Sequence, residues 1–150
     1  MSILQICERD PEAVSLETSV ADAIRCMLKA RVGAVVVVDS ERVVAGIFTE
    51  RDVLKRLALS GRNPDATPVR EMMTTPVELA TEETGEAEAL AVMLERHYRH
   101  LPVVDPKGRL LGMLALRHVL EARIDDLVQR LEAAQNQNRV IPQSGDRAIR

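Results

Sequence analysis

Apolar residues return in the same order twice along this chain. Val20, Ala23, Ile24, Met27 and Leu28 fall at i, i+3, i+4, i+7 and i+8, the stripe of an amphipathic helix, with Thr18 or Ser19 placed to cap its start. Ala34-Val-Val-Val-Val38 follows, continuous and β-branched, which predicts a strand buried on both faces. A polar turn, Asp39-Ser-Glu-Arg42, leads to a second strand over Val43 to Phe48, and a helix closes the unit from Glu50 to about Leu57. Later, Thr84 precedes a second stripe at Ala89, Leu90, Met93 and Leu94. Leu101-Pro-Val-Val104 repeats the strand, with Pro102 expected at an edge or strand start because it donates no ladder hydrogen bond. Asp105-Pro-Lys-Gly108 has the residue order of a type I turn, Arg109 to Leu114 forms the next strand, and Leu116 opens a helix. Short leading strands are expected near Ala13-Val14 and Leu79-Ala80.

The two units are copies. Sliding the chain by 66 residues lays 14–57 on 80–123 without a gap, and 13 of the 44 aligned pairs are identical. Chance would give about three. The period is too long for a solenoid and there are only two copies, so a duplicated half-domain fits better than an open array. The fold class is α+β (α/β-like): two pseudo-twofold-related repeats of order β-α-β-β-α, packed sheet to sheet, plus a C-terminal helix. Neither half buries enough apolar surface alone. The expected boundaries are 1–66 for the first repeat with its N-terminal segment, 67–123 for the second, and 124–150 for a C-terminal helix extension and flexible tail. Ser60-Gly-Arg-Asn-Pro-Asp65 is turn-rich, and Thr67-Pro68 reads as a cap and first helical position of a short helix through Met73. Past the second repeat, Leu120, Ile124, Leu127, Leu131 and Ala134 trace a heptad seam of about two repeats, packed either on its own domain or on a second copy.

Composition narrows the function. Net charge is -3, so no global basic field draws the chain to nucleic acid or anionic lipid. Phe48 and Tyr98 are the only aromatic residues, too few for stacking single-stranded bases. Cys7 and Cys26, with no CxxC and no neighbouring His, read as free thiols in a reducing compartment. The N-terminus lacks a long apolar run, and the stretch from Gly33 to Val38 is far too short to cross a bilayer, so the expected location is cytoplasmic. No paired His and nucleophile, G-x-S-x-G, metal-ligand set or phosphate loop with its lysine is present, which argues against an enzyme.

The candidate chemistry lies in Gly46-Ile-Phe-Thr-Glu-Arg-Asp52. Gly46 lets backbone or ligand approach closely. Thr49 stands at a helix start, where unpaired N–H groups and the helix dipole favour an anion. Asp52, one turn on, offers two acceptor oxygens to vicinal hydroxyls such as those of a ribose. The same T-x-x-D spacing is also a capping box, with Thr49 capping the helix and Asp52 reaching back. The two readings are compatible, since a ligand can displace a cap.

The doubled pattern resembles the CBS domain, and the tandem pair a Bateman module in a stand-alone protein of the bacterial type. The resemblance rests on Gly46 to Asp52, Val37-Val-Asp39, Met72-Met-Thr-Thr-Pro-Val77, and Arg99-His-Leu-Pro-Val-Val-Asp105 with Gly112, and spans residues 1–123. It implies a regulatory module without catalysis that binds AMP, ADP, ATP or a related adenosyl ligand, with Mg²⁺ possible beside ATP and no cofactor required. By resemblance, Thr49 contacts phosphate, Asp52 the ribose hydroxyls, and the backbone near Val14-Ser15 and Ala34-Val35 the adenine. Gly46, Ile47, Phe48 and Arg51 complete the site from the same stretch, with His100 and Pro102 from the second copy. A homodimer and a separate effector protein are implied as partners; a membrane is not, and nucleic acid is disfavoured.

The second copy departs from this pattern. Ala115 stands where the hydroxyl belongs and His118 where the carboxylate belongs. One competent site per chain is therefore expected, with the second pocket empty or binding something different and weaker. The cluster Arg96-His-Tyr-Arg-His100 either closes a helix as surface charge or lends a cation to a ligand phosphate, and His97 with His100 lacks a third metal ligand. A ligand-independent structural or dimerisation module is the competing function.

Overall fold

The computed structural model describes the backbone of residues 2–149 and the side chains of residues 2–138. Its elements are α1 (Ile3–Ile6), β1 (Glu8–Arg9), β2 (Ala13–Ser15), α2 (Val20–Ala30), β3 (Ala34–Val38), β4 (Val44–Thr49), α3 (Glu50–Asp52), β5 (Ala80–Thr81), α4 (Glu86–Arg96), β6 (His100–Val104), β7 (Leu110–Ala115) and α5 (Leu116–Ile149). α3 runs on as a π-helical turn over Val53–Leu57. The expected order is present in both copies, as an α+β fold.

Two sheets carry it, one ordered β2-β3-β4 and the other β1-β7-β6-β5. Within each, the leading strand pairs parallel to the next, which pairs antiparallel to the third. The alternating faces of β3 explain its unbroken apolar run. Val35 and Val37 pack under α2 with Val20, Ala23, Met27 and Phe48, while Ala34 and Val36 face the other sheet through Ile47, Leu110 and Met113. Every side chain from Ala34 to Val37 is buried as a result. Pro102 sits inside the central strand β6, yet β5 reaches only Val103 and Val104, so no ladder bond is lost at the proline.

The duplication is visible in backbone detail. Arg31 and His97 both end their helices in the left-handed region, at φ 57° and 59°. Asp39 Oδ1 accepts from the amides of Glu41 (2.8 Å) and Val43 (3.0 Å), and Asp105 Oδ1 accepts from Lys107 (2.8 Å) and Arg109 (2.9 Å). At the pseudo-twofold axis Val43 bridges to Arg109, its own counterpart, through Val44 N–H to Gly108 O (3.0 Å) and Leu110 N–H to Arg42 O (3.1 Å).

The connecting segments cross over. Ile3 and Cys7 complete the core of the second repeat, against Ala80, Met93 and Leu101, and β1 pairs with β7. Val69, Met72 and Met73 complete the core of the first repeat, and Thr74 bridges to Ile47 on β4. The N-terminal segment, placed with the first repeat by its order along the chain, thus packs on the second. The short helix expected from Thr67 is a single 3-10 turn over Val69–Glu71. The Thr67 hydroxyl donates to Asn63 O (2.8 Å) instead of capping it.

The seam on α5 is exposed: Ile124, Leu127 and Leu131 are 59%, 56% and 63% accessible, so it does not pack on its own domain. α5 spans the stretch read as a tail, and the side chains beyond residue 138 lie outside the described residues.

Candidate functional site

β4 ends at Thr49, where the chain turns into α3, and the two residues of the motif meet there. Asp52 N–H donates to Thr49 Oγ1 (3.2 Å), and Thr49 N–H donates back to Asp52 Oδ2 (3.0 Å). The capping box is therefore formed. The Thr49 hydroxyl also donates to Asp52 Oδ2 (3.1 Å). On the other oxygen, Asp52 Oδ1 accepts the Thr74 hydroxyl at 2.8 Å and lies 3.5 Å from Arg56 Nε. Arg56 also donates to Met73 O (2.8 Å). The carboxylate is only 4% exposed, and its partners are the protein's own atoms. Sequence spacing revealed the box; it did not reveal Thr74 or Arg56, which arrive from the inter-repeat segment and the π-helical turn.

The second motif uses the same backbone with different chemistry. Ala115 N–H donates to His118 Nδ1 at 3.4 Å, so the imidazole takes over one duty of the carboxylate, holding the start of the next helix. His118, which departs from the carboxylate of the pattern, thus still makes one bond of the carboxylate's kind.

A cavity of about 330 Å³ opens at this second motif, between the repeats. Arg31, Arg99 and Arg117 line it with His100 and His118, against Glu8 and Glu12. Val32 to Ala34 and Ala115 to Leu116 line it as well. Of the residues named for the first site, Ala34 and His100 line this cavity. Thr49 and Asp52 are joined to each other as described, and Arg51 reaches across to His97 O (3.4 Å). Gly46, Ile47, Phe48, Val35 and Pro102 are buried, while Val14 and Ser15 lie on β2 at the sheet edge. At Gly46 a Cβ would stand 2.7 Å from Met73 Sδ and 2.8 Å from Thr74 O. The glycine is required by the crossing chain segment.

Burial lowers the proton affinity of His100, as do the nearby charges of Arg117, Arg99 and His118; Glu50 opposes them. Cys7 and Cys26 are free thiols, and burial pushes both up, so neither is poised as a thiolate. Among the described residues no group of three or more His, Cys, Asp or Glu is placed to hold a metal ion, and no helix is long and apolar enough to cross a membrane.

Two β-α-β-β-α units about a pseudo-twofold, with a motif at each strand-to-helix turn and a cavity at the second of them, define a tandem-repeat module. The chain belongs to the CBS domain family, whose model matches residues 3–59 and again 69–125. An uncharacterized 17.7 kDa protein of Acidianus ambivalens is 37% identical over 123 residues, covering 82% of this chain and 73% of its own length. The mitochondrial CBS domain-containing protein CBSX3 of Arabidopsis thaliana is 34% identical over 120 residues, 77% of this chain and 58% of that one. The chain also spans 20% of the meiotically up-regulated gene 70 protein of Schizosaccharomyces pombe. Among solved structures, a protein with CBS domains from Burkholderia ambifaria MC40-6 matches at a TM-score of 0.77 and 34% identity, over 84% of this chain and 96% of that one. CBSX2 in complex with AMP shares the fold at a TM-score of 0.72 and 24% identity, over 83% of this chain and 96% of that one.

Proposed function

We propose that this chain is a non-catalytic sensor that holds an adenosine nucleotide in the cleft between its repeats and passes the bound state to a partner protein. The observation that carries the proposal is the dressing of Asp52. This buried carboxylate takes one hydroxyl on each oxygen, Thr49 Oγ1 on Oδ2 and Thr74 Oγ1 on Oδ1. A vicinal diol presents the same pair of donors. Thr49, at the helix start, then faces the phosphate, and the arginines of the cleft supply countercharge. AMP, ADP, ATP and related adenosyl compounds all satisfy this description, with Mg²⁺ accompanying ATP. The AMP complex of CBSX2 supports the ligand class on a shared fold. A homodimer belongs to the same proposal, supported by the exposed seam on α5. So does a reducing cytoplasm, supported by two free thiols.

The test is a thermal-shift panel of AMP, ADP, ATP, S-adenosylmethionine and NAD on protein stripped of bound ligand. A ligand at 100-fold its dissociation constant stabilises by about 2.7 kcal/mol. Thr49→Ala combined with Asp52→Asn is expected to remove the shift while leaving a folded chain. A second reading, a ligand-independent structural module, is favoured by one observation: no buried side-chain polar atom among the described residues lacks a partner. A flat panel selects it.

A further inference from the structure

Thr74 does not belong to the motif, yet it occupies the motif's carboxylate. Its hydroxyl donates to Asp52 Oδ1 at 2.8 Å, while its backbone pairs with β4 in both directions, Ile47 N–H to Thr74 O (3.1 Å) and Thr74 N–H to Ile47 O (2.8 Å). Arg56 closes the loop, donating to Met73 O at 2.8 Å and standing 3.5 Å from Asp52 Oδ1. Asp52, Thr74, Met73 and Arg56 thus form one ring joining the first motif to the segment that leads into the second repeat. The second motif has no such ring. There the residue equivalent to Thr74, 66 positions earlier, is Glu8, paired with Met113 as Thr74 is with Ile47. Glu8 lines the open cavity beside His118.

We propose that Thr74 is a tethered competitor for the diol-binding carboxylate, so that capture of a sugar diol by Asp52 releases the connection between the repeats. The inference rests on the nucleotide reading above and adds the route by which binding is felt elsewhere. The Thr74 hydroxyl, 2.8 Å from Oδ1 of the buried Asp52, stands where the second hydroxyl of a diol would dock. The ligand replaces one hydroxyl with another, and the displaced one carries the inter-repeat segment with it. Occupancy of the first repeat is thereby converted into freedom of the segment that carries Val69, Met72 and Met73 into the first repeat's core. Coupling of this kind needs two arrangements with different ligand affinity, and the ring supplies them.

The experiment compares wild type, Thr74→Val, Thr74→Ala and Thr74→Ser by titration calorimetry with AMP and with ATP, alongside amide hydrogen exchange with and without AMP. Removing the competing hydroxyl is expected to tighten AMP binding about tenfold in Thr74→Val, the scale of one hydrogen bond to a charged group. Thr74→Ser keeps the hydroxyl and is expected to bind as wild type. In wild type, AMP is expected to speed exchange at the Thr74 and Ile47 amides; ligand-free Thr74→Val is expected to show the faster rate already. Thr74→Ala serves if the valine variant fails to fold. AMP binding of equal or lower affinity in both hydroxyl-free variants, with wild type binding normally, overturns the competitor role and leaves the sensor standing. Absence of binding in every variant, wild type included, overturns both.

Discussion

The two motifs sit on the same backbone, 66 residues apart, and differ at the two side chains that carry the cap chemistry, Thr49 against Ala115 and Asp52 against His118. At the first, Thr49 and Asp52 bond to each other, Asp52 also accepts the Thr74 hydroxyl, and the carboxylate is sealed. At the second, Ala115 and His118 keep a single long bond of 3.4 Å to the helix start, and a cavity of about 330 Å³ stands beside it. Loss of the hydroxyl and the carboxylate did not unmake the fold, because that turn needs only one acceptor for one amide. The lesson is a division of labour. The backbone turn is structural in both copies, whereas only the first carries polar groups surplus to the cap.

Truncating the two capping side chains breaks the comparison most sharply. Asp52→Ala strips acceptors from the Thr49 amide, two hydroxyls and Arg56 in a buried place, and is expected to cost about 3 kcal/mol. His118→Ala loses one weak bond at a half-buried position and is expected to cost about 0.5–1 kcal/mol. Urea denaturation midpoints of both variants check the ratio; equal losses would mean that the first motif is no more than a cap.

The glycines sharpen the comparison from the opposite side, since there the copies should agree. A Cβ at Gly46 would stand 2.8 Å from Thr74 O, and one at Gly112 would stand 2.8 Å from Glu8 O, both backbone atoms. Gly46→Ala and Gly112→Ala are each expected to cost about 2 kcal/mol, through displacement of a crossing segment. If the two losses differ by a factor of three, the segments around Cys7 and Met73 are not structural equivalents.

Much of this was legible in the sequence. The 66-residue offset gave the duplicated order of elements, and T-x-x-D gave the capping box, because both are local or periodic. The crossing of the connecting segments was not legible from order along the chain. Its signal was present but faint: Ile3, Ile6 and Cys7 stand 66 residues before Val69, Met72 and Met73, apolar for apolar without one identity. Thr74 and Arg56 at Asp52, and the cavity's arginines, come together only through tertiary packing, and no spacing rule encodes that. The short helix expected at Thr67 failed for a related reason. Val69, Met72 and Met73 are anchored in the first repeat's core, and the chain straightens at once to pair with β4.

The smallest effect concerns a half-buried titratable group that breaks the symmetry at the start of the strands. His100 stands where the first copy has Ala34, which has nothing to titrate. Burial is the main cause of its lowered proton affinity, with Arg117, Arg99 and His118 adding like charge and Glu50 only partly offsetting them. A histidine whose folded-state pKa lies below the ordinary value near 6.5 binds fewer protons folded than unfolded in that range. Its neutral form is therefore no handicap above that value, and stability is lost as pH falls below it. Between pH 7.5 and pH 5.5 the solution stays above the ordinary carboxylate range, so carboxylates contribute little to the change. Wild type is expected to lose more of its urea midpoint over that interval than His100→Gln does. The glutamine keeps a polar group at the cavity wall while removing the titration, so the comparison isolates the proton. Identical slopes in the two proteins would show that His100 is not the group that responds to acid, and would leave the asymmetry between the copies at the helix start instead of the strand.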